Sequence, residues 1–334
     1  MIQSTSPVLR PMLRSFDTRP WGRASRRGVD GLDDSSPSVR FRLPDAALKR
    51  FITAYYFVEV PAGPAGAVED LLHPEWANIR FVLNGHWSMR LDGQLYDPAP
   101  PAALFGPTSV TGTVRGQAGT VLGIGLLPLG WAQFFKAPAA DYADRVAPLA
   151  QVLGDRAQET HEALLSAGDD DARVAILDAL FTAMASAGGA PDAILVRAHD
   201  LLVDPTMGSV DALAQALGVS SRHLARLSLR KFGFAPKLLL RRQRFLRTLQ
   251  ELRDHPGEGW ASLIDAWYYD QSHFVRDFHR FMGMSPSAYF ALPHRLLGPA
   301  ARARMAALGA SLQGLHAAQA DGSVLSNSAG VGVP

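Results

Sequence analysis

Apolar and polar residues change rhythm twice along the chain. Between residues 51 and 127 the apolar positions come in short runs of β texture, broken by Gly and Pro. Residues 51–60 carry Tyr55, Tyr56, Phe57 and Val58 together, and 78–83, 86–91, 109–115 and 120–127 read as further strands. Asp92-Gly93 separates 87–91 from 94–96, a pair suited to a two-residue hairpin turn, where both positions take positive φ. Many short strands at this spacing predict a barrel or sandwich of about 80–90 residues.

Past Pro128 the period lengthens to that of helix. Residues 129–135, 142–153 and 172–185 read as helices, the last opening after the acidic run Asp169-Asp170-Asp171. Another helix, 191–203, has Pro191 at its head. Residues 236–253 form one continuous helix of about 27 Å, with Leu238, Phe245, Leu249 and Leu252 on its apolar stripe and Arg241, Arg244 and Arg247 facing elsewhere. An Ala-rich stretch at 300–318 is helical as well. The two ends differ from all this. Residues 1–38 are rich in Ser, Pro, Arg and Gly without periodicity, and 321–334 are Gly/Ser/Val-rich, so both read as disordered.

The C-terminal third repeats itself at an offset of 50. His223 matches His273, Arg226 matches Arg276, Arg230 matches Arg280, Gly233 matches Gly283 and Pro236 matches Pro286. Each copy reads as a short helix, a turn, a second helix and then Gly-x-x-Pro. Ser220 and Asp270 are good N-cap types for the two second helices. In the first of these, Leu224 and Leu227 face a core, while Arg222, Arg226 and Arg230 recur every four residues on the other side. In the second, Phe274, Phe278 and Phe281 make the core stripe and leave Gln271, Ser272, Arg276 and His279 or Arg280 outside. Arg and Gln can contact base edges in pairs through a major groove. Two ordinary helical hairpins with incidental surface arginines are the rival reading, weakened by the recurrence of Arg at matching positions.

Charge sharpens the picture. The 334 residues sum to only +2, yet 222–253 hold ten Arg or Lys against the single acid Glu251, a local +9 that leaves −7 for the rest. A basic block on amphipathic helix in an otherwise acidic chain is the footprint of a polyanion binder. Lys231, Lys237, Arg241 and Arg244 are the candidates for phosphate contact. With no cysteine, disulfides, thiolate metal sites and Cys nucleophiles are excluded. No apolar run is long enough to span a bilayer and the first 40 residues lack a secretory core, so the expected location is the cytoplasm, with no membrane partner.

Enzyme chemistry finds no support. No G-x-S-x-G, H-E-x-x-H or P-loop occurs, and Gly123-Ile124-Gly125 lacks the third Gly of a dinucleotide loop. His73 and His86 stand alone, without the His-x-His pair of a metal-binding barrel, so neither a metal nor a cofactor is expected. His73, Trp76, His86, Trp87 and Tyr96 are candidates for lining a small-molecule pocket in the β region, with plain core packing as the alternative for each aromatic.

The stretch Asp270-Gln271-Ser272-His273-Phe274-Val275-Arg276-Asp277-Phe278, ending at Gly283-Met284-Ser285-Pro286-Ser287-Ala288-Tyr289, resembles the second helix-turn-helix signature of the AraC/XylS family of bacterial transcription regulators. Leu213-Ala214-Gln215-Ala216-Leu217-Gly218-Val219-Ser220, with Leu224 and Arg226, resembles the first. His73-Pro74-Glu75-Trp76 and 122–128 more weakly resemble the cupin-like sensor barrel of one branch of that family. The resemblance implies base-reading positions at Ser221, Arg222, Ala225 and Arg226, then at Gln271, Ser272 and Arg276. It departs from the pattern at Leu263 and Trp267, where a small Ala and a turn Gly are usual, and at Ser228, where a core aromatic is usual.

The expected fold is therefore α+β. A tail (1–40) precedes a cupin-like β-barrel that senses or dimerises (41–135) and a helical linker (136–190). A domain of two helix-turn-helix units joined by a long helix follows (191–292), then a C-terminal helix and flexible tail (293–334). The expected function is a sequence-specific, double-stranded-DNA-binding regulator tuned by a small-molecule effector. A homodimer is the expected assembly, and RNA polymerase is a candidate partner. The alternative is a ligand-binding or protein-interaction module whose second helix-turn-helix has degenerated.

Overall fold

The computed structural model describes residues 36–63, 67–255, 263 and 268–316. Its N-terminal half is two antiparallel sheets. Strands β1 (Ser38–Arg42), β2 (Ile52–Val60), β9 (Gly119–Leu126), β4 (Asn78–Val82), β7 (Ala102–Phe105) and β10 (Val146–Pro148) form the first, in that order. The second runs β3 (Val68–Leu72), β8 (Gly112–Gln117), β5 (His86–Leu91), β6 (Gln94–Tyr96). The predicted hairpin joins β5 to β6, with Leu91 opposite Gln94 and positive φ at Asp92 (45°) and Gly93 (78°). β2 and β9 are nearly continuous apolar runs because both lie mid-sheet with covered faces, and Tyr55, Phe57, Leu122 and Ile124 are fully buried.

Helices follow in the order α1 (Pro128–Phe134), α2 (Ala150–Leu153), α3 (Arg156–Ser166), α4 (Asp170–Ala187) and α5 (Ala193–Val203). Then come α6 (Val210–Leu217), α7 (Ser221–Phe232), α8 (Pro236–Asp254), α9 (Gln271–Met282), α10 (Pro286–Phe290) and α11 (Leu297–Leu308). Asp169 caps α4 by accepting from the Ala172 amide at 2.8 Å, as its acidic opening predicted.

The helix expected over 142–153 is broken into a strand and a short turn of helix. Asp144 takes φ +54° and its carboxylate holds the Ser109 amide and hydroxyl, while Val146–Pro148 pairs with β7. Pro148 cannot sit inside a helix, and at a sheet edge its missing N–H is harmless. Ser38–Arg42, which composition assigns to the tail, is an edge strand tied down by Arg40 to Glu59 (2.8 Å) and Asp170 (3.1 Å). The helix expected at 300–318 spans only Leu297–Leu308, because Gly309 ends it in the left-handed conformation (φ +69°). Of the tails expected at 1–38 and 321–334, residues 1–35 and all of the second lie outside the described residues, as does Trp267, whereas Leu263 is helical and half-buried.

One continuous core crosses from the sheets into the helices. Trp76, Ile79 and Leu126 share it with Leu224 and Phe232 of α7 and Leu239 of α8. A second core surrounds Phe245 of α8, which stacks on Phe281 at 4.9 Å and meets Phe278 edge-on at 5.4 Å. α8 is thus buried on two sides. The chain then returns past α11 to the sheets. Gln313 is buried and accepts from Asn78 (3.0 Å) while donating to the Ala77 carbonyl (3.2 Å), and Gln243 of α8 donates to the Gly314 carbonyl (2.7 Å). A Cβ at Gly314 would lie 2.5 Å from Leu246, so only glycine passes between α8 and the sheet there.

His199 on α5 is fully buried, edge-on to Trp76 at 5.7 Å, and burial pushes its pKa down to about 3. Its folded pKa lies below the unfolded one. The unfolded chain therefore takes up the proton first as pH falls, and stability present above about pH 6.5 is lost toward pH 3. Urea unfolding at pH 5 is expected to show about 2 kcal/mol less stability from this residue than at pH 7. His199→Phe should flatten that slope, and an unchanged slope in the variant contradicts a buried neutral imidazole.

Candidate nucleic-acid interface and effector cavity

The first helical pair is α6 and α7. Ser209 caps α6 from the Ala212 amide (3.1 Å), Gly218 turns the chain with φ +67°, and Ser220 caps α7 from the His223 amide (3.2 Å). The second pair ends in α9, capped by Asp270 from the His273 amide (2.7 Å), and its first helix lies largely outside the described residues. The repeated Gly-x-x-Pro has one physical meaning in both copies. Gly233 (φ +87°) and Gly283 (φ +68°) end α7 and α9, and Pro236 and Pro286 open the next helix at a position where no N–H is needed.

On α7, Ser221, Arg222, Arg226 and Arg230 are exposed and Ala225 is half-buried, while Leu224, Ser228 and Phe232 are buried toward α1 and the loop before β10. The buried Ser228 occupies a place where an aromatic was the usual expectation. On α9, Ser272, Arg276 and Arg280 are exposed and Gln271 is half-buried, over a buried Phe274, Phe278 and Phe281. The two helices therefore present the same face to solvent and the same kind of face inward.

Between the two units, above α8, lies an open groove of about 600 Å³. Lys237, Arg241, Arg244 and Arg247 of α8 line it together with Arg276 and His273 of α9 and the N-terminal end of α6 at Ser209 and Val210. Five cations on one concavity, with backbone N–H groups at a helix start, make a strong anion-binding surface. Arg247 and His273 were not among the sequence candidates, and the spacing of Arg247 to Lys237 and Arg244 on one helix could have revealed the first of them. Of the expected phosphate contacts, Lys237 is exposed in this groove, whereas Lys231 is half-buried near Arg230 at the far end of α7, where burial lowers its pKa.

Arg241 and Arg244 do not stand free. Both pair with Asp277 of α9, whose carboxylate is fully buried: Arg241 makes a short charged contact, and Arg244 lies at 3.3 Å. The Tyr268 hydroxyl donates to the same carboxylate at 2.9 Å, and Arg244 lies 4.4 Å over the Tyr268 ring. Burial, then the Asp277 charge, raise the Tyr268 pKa. The two arginines thus hold α9 on α8 while keeping an edge in the groove.

Between the two sheets and α11 lies a cavity of about 140 Å³. His73 and Trp87 line it. The structure does not bring the other three pocket candidates there. Trp76 is buried beneath Arg242 of α8, whose guanidinium stacks 4.0 Å above the indole. His86 is exposed and pairs with Asp97 at 2.7 Å, and Tyr96 uses its hydroxyl to accept from the Val146 amide at 3.2 Å. His73 is fully buried with its Nε2 2.7 Å from the Tyr289 hydroxyl of α10, and burial holds its pKa well below the usual value. Among the described residues no cluster of metal-ligating side chains is present, and no helix is long and apolar enough to cross a membrane.

Residues 213–291 match the family described as a helix-turn-helix domain, and this part of the chain is a helix-turn-helix domain. Among solved structures, the chain is similar to ToxT from Vibrio cholerae, with 11% identity, covering 68% of this chain and 99% of that one at a TM-score of 0.39. It is also similar to the AraC-like transcriptional activator CuxR, with 15% identity, 64% and 87% coverage and a TM-score of 0.26. A cupin 2 domain-containing protein from Halorhodospira halophila is 15% identical over 32% of this chain and 76% of its own, at a TM-score of 0.21. No curated protein sequence matches the chain.

Asp277→Asn should leave two arginines without their counter-charge. An expected loss of about 2–3 kcal/mol in urea unfolding sits below the value for a fully buried pair, because Arg241 and Arg244 keep some contact with water. A change under about 0.5 kcal/mol would contradict the role given to this carboxylate.

Proposed function

We propose that the protein is a transcription regulator that reads double-stranded DNA with α7 and α9, and that the cavity between its sheets receives a small effector. One observation carries the first part. Arg226 and Arg276 hold equivalent, exposed positions on α7 and α9, and Arg276 joins four cations of α8 in lining the groove between the two units. A duplex backbone lying along that groove would set register and supply most of the affinity, while the two helices discriminate bases. The intact aromatic core under α9 favours a working second unit over a degenerate one. Arg222, Arg226, Gln271, Ser272 and Arg276 are assigned to base edges, with Ser221 and Ala225 beside them, and Arg230, Arg280 and Lys237 to phosphates.

The effector reading draws on connectivity. Six residues, 291–296, separate α10 of the second unit from α11, which lines the cavity. The Asp70 carboxylate of β3 caps that helix start by accepting from the Leu296 (2.7 Å) and Leu297 (2.8 Å) amides. Burial alone would raise the Asp70 pKa, but His294 and three backbone N–H groups outweigh it and hold the group ionised. A ligand that favours one seating of α11 would bias the second unit by the same free energy. Homodimerisation, contact with RNA polymerase and a cytoplasmic location are carried by the family resemblance alone.

Binding to duplexes from the upstream region, followed by fluorescence anisotropy at two salt concentrations, tests the reading. Arg226→Ala and Arg276→Ala should each lose about 1–3 kcal/mol of sequence-specific affinity, whereas Lys237→Ala should weaken all sequences alike and reduce the salt slope by about one. Equal affinity for every sequence in the unaltered protein would overturn the proposal.

A further inference from the structure

The cavity between the sheets is apolar along most of its wall, with Val58, Val82, Trp87, Val114, Val121 and Leu297 among its contacts. It is not neutral. Arg80 and Glu75 form one ion pair at 3.3 Å, and Arg80 also donates through Nε to the Tyr56 hydroxyl at 3.0 Å. His73 is held neutral by its burial. That leaves Arg304, on α11, as a surplus positive charge in the same cavity.

Arg304 is 7% exposed, and its Nη1 is buried with no hydrogen-bond partner. Its guanidinium lies 4.9 Å over the Phe41 ring, a contact that uses the face of the group and leaves the N–H edge unspent. Ser311, also 7% exposed and also lining the cavity, has a buried hydroxyl without a partner. A buried donor left unmatched is costly, and two on one apolar cavity are unusual in a folded protein.

We propose that this cavity binds a compact apolar monocarboxylate, whose carboxylate is received by Arg304 and Ser311 and whose body fills the space between the sheets. The inference rests on reading the cavity as the effector site. The volume sets the size: an apolar cavity of about 150 Å³ accommodates a benzene ring, and this one is about 140 Å³. Both polar groups belong to the segment that follows the helix-turn-helix domain, whereas the apolar wall belongs mostly to the sheets. A bound anion therefore bridges the two, and its charge-assisted hydrogen bonds fasten α11 to the β region.

Isothermal titration of the full chain with benzoate, cyclohexanecarboxylate, benzyl alcohol and benzylamine tests this. The two carboxylates are expected to bind at least about tenfold more tightly than the alcohol, and the amine not at all. Arg304→Gln should weaken benzoate by about tenfold to hundredfold. Glu75→Gln, which removes the cavity's acid, should tighten it, and it keeps the test open if the first variant fails to fold. Equal binding of acid and alcohol, an unaltered benzoate affinity in both variants, or no binding of any probe would overturn the proposal. DNA anisotropy on the same preparations separates the two readings. Lost benzoate binding with DNA affinity intact counts against the cavity assignment alone, and absent DNA binding with benzoate bound counts against the regulator reading alone.

Discussion

A single buried arginine joins the two halves of this molecule. Arg242, in the middle of α8, is fully buried, stacks on Trp76 and donates from Nη1 to the carbonyls of Thr108 (2.8 Å) and Glu75 (3.2 Å). Burial lowers its pKa to about 9, against the opposing pull of Asp144 and Glu75. An ion so far from water is tolerated only where aromatic faces and carbonyl dipoles replace its hydration. Because α8 also joins the two helical units, this side chain helps set where those units sit relative to the sheets. The returning segment at Gln313 and Gly314 locks the same junction from the other side through Asn78 and Gln243.

That arrangement revises the meaning of the basic block. The sequence shows ten cations in 222–253 as one footprint, but the fold divides them by task. Arg242 works inside the protein, and Arg241 and Arg244 neutralise Asp277 while edging the groove. Arg222, Arg226, Arg230 and Lys237 face solvent, where the proposed function needs them. Charge density thus serves assembly of the helical units as well as the solvent-facing surface, and only geometry distinguishes the two uses.

Much of this was legible without coordinates, and the rest was hidden for definite reasons. The β5–β6 hairpin was readable because Asp-Gly demands a particular turn. The duplicated helical units were readable because Gly233 and Gly283, with Pro236 and Pro286, punctuate both copies alike. The edge strands β1 and β10 were not, since their register depends on partners far along the chain and their own residues carry no alternation. Leu246 and Leu239 of α8 were missed for the same kind of reason: a single apolar stripe was sought on a helix that buries two faces. The pocket candidates fared unevenly. His73 and Trp87 reach the cavity, while Trp76 turns away to seat Arg242, a role no local pattern announces. Arg304 and Ser311 lie more than 180 residues from the strand residues that share the cavity with them, so no spacing rule could have joined them.

In the proposed function α7 and α9 engage one duplex together. The most direct measurement is a base-resolution footprint on the duplex that the protein selects from a random pool. The expected result is two protected major-groove tracts about 10 base pairs apart on one face of the helix. A single tract, or a pool from which no sequence is enriched, would contradict it.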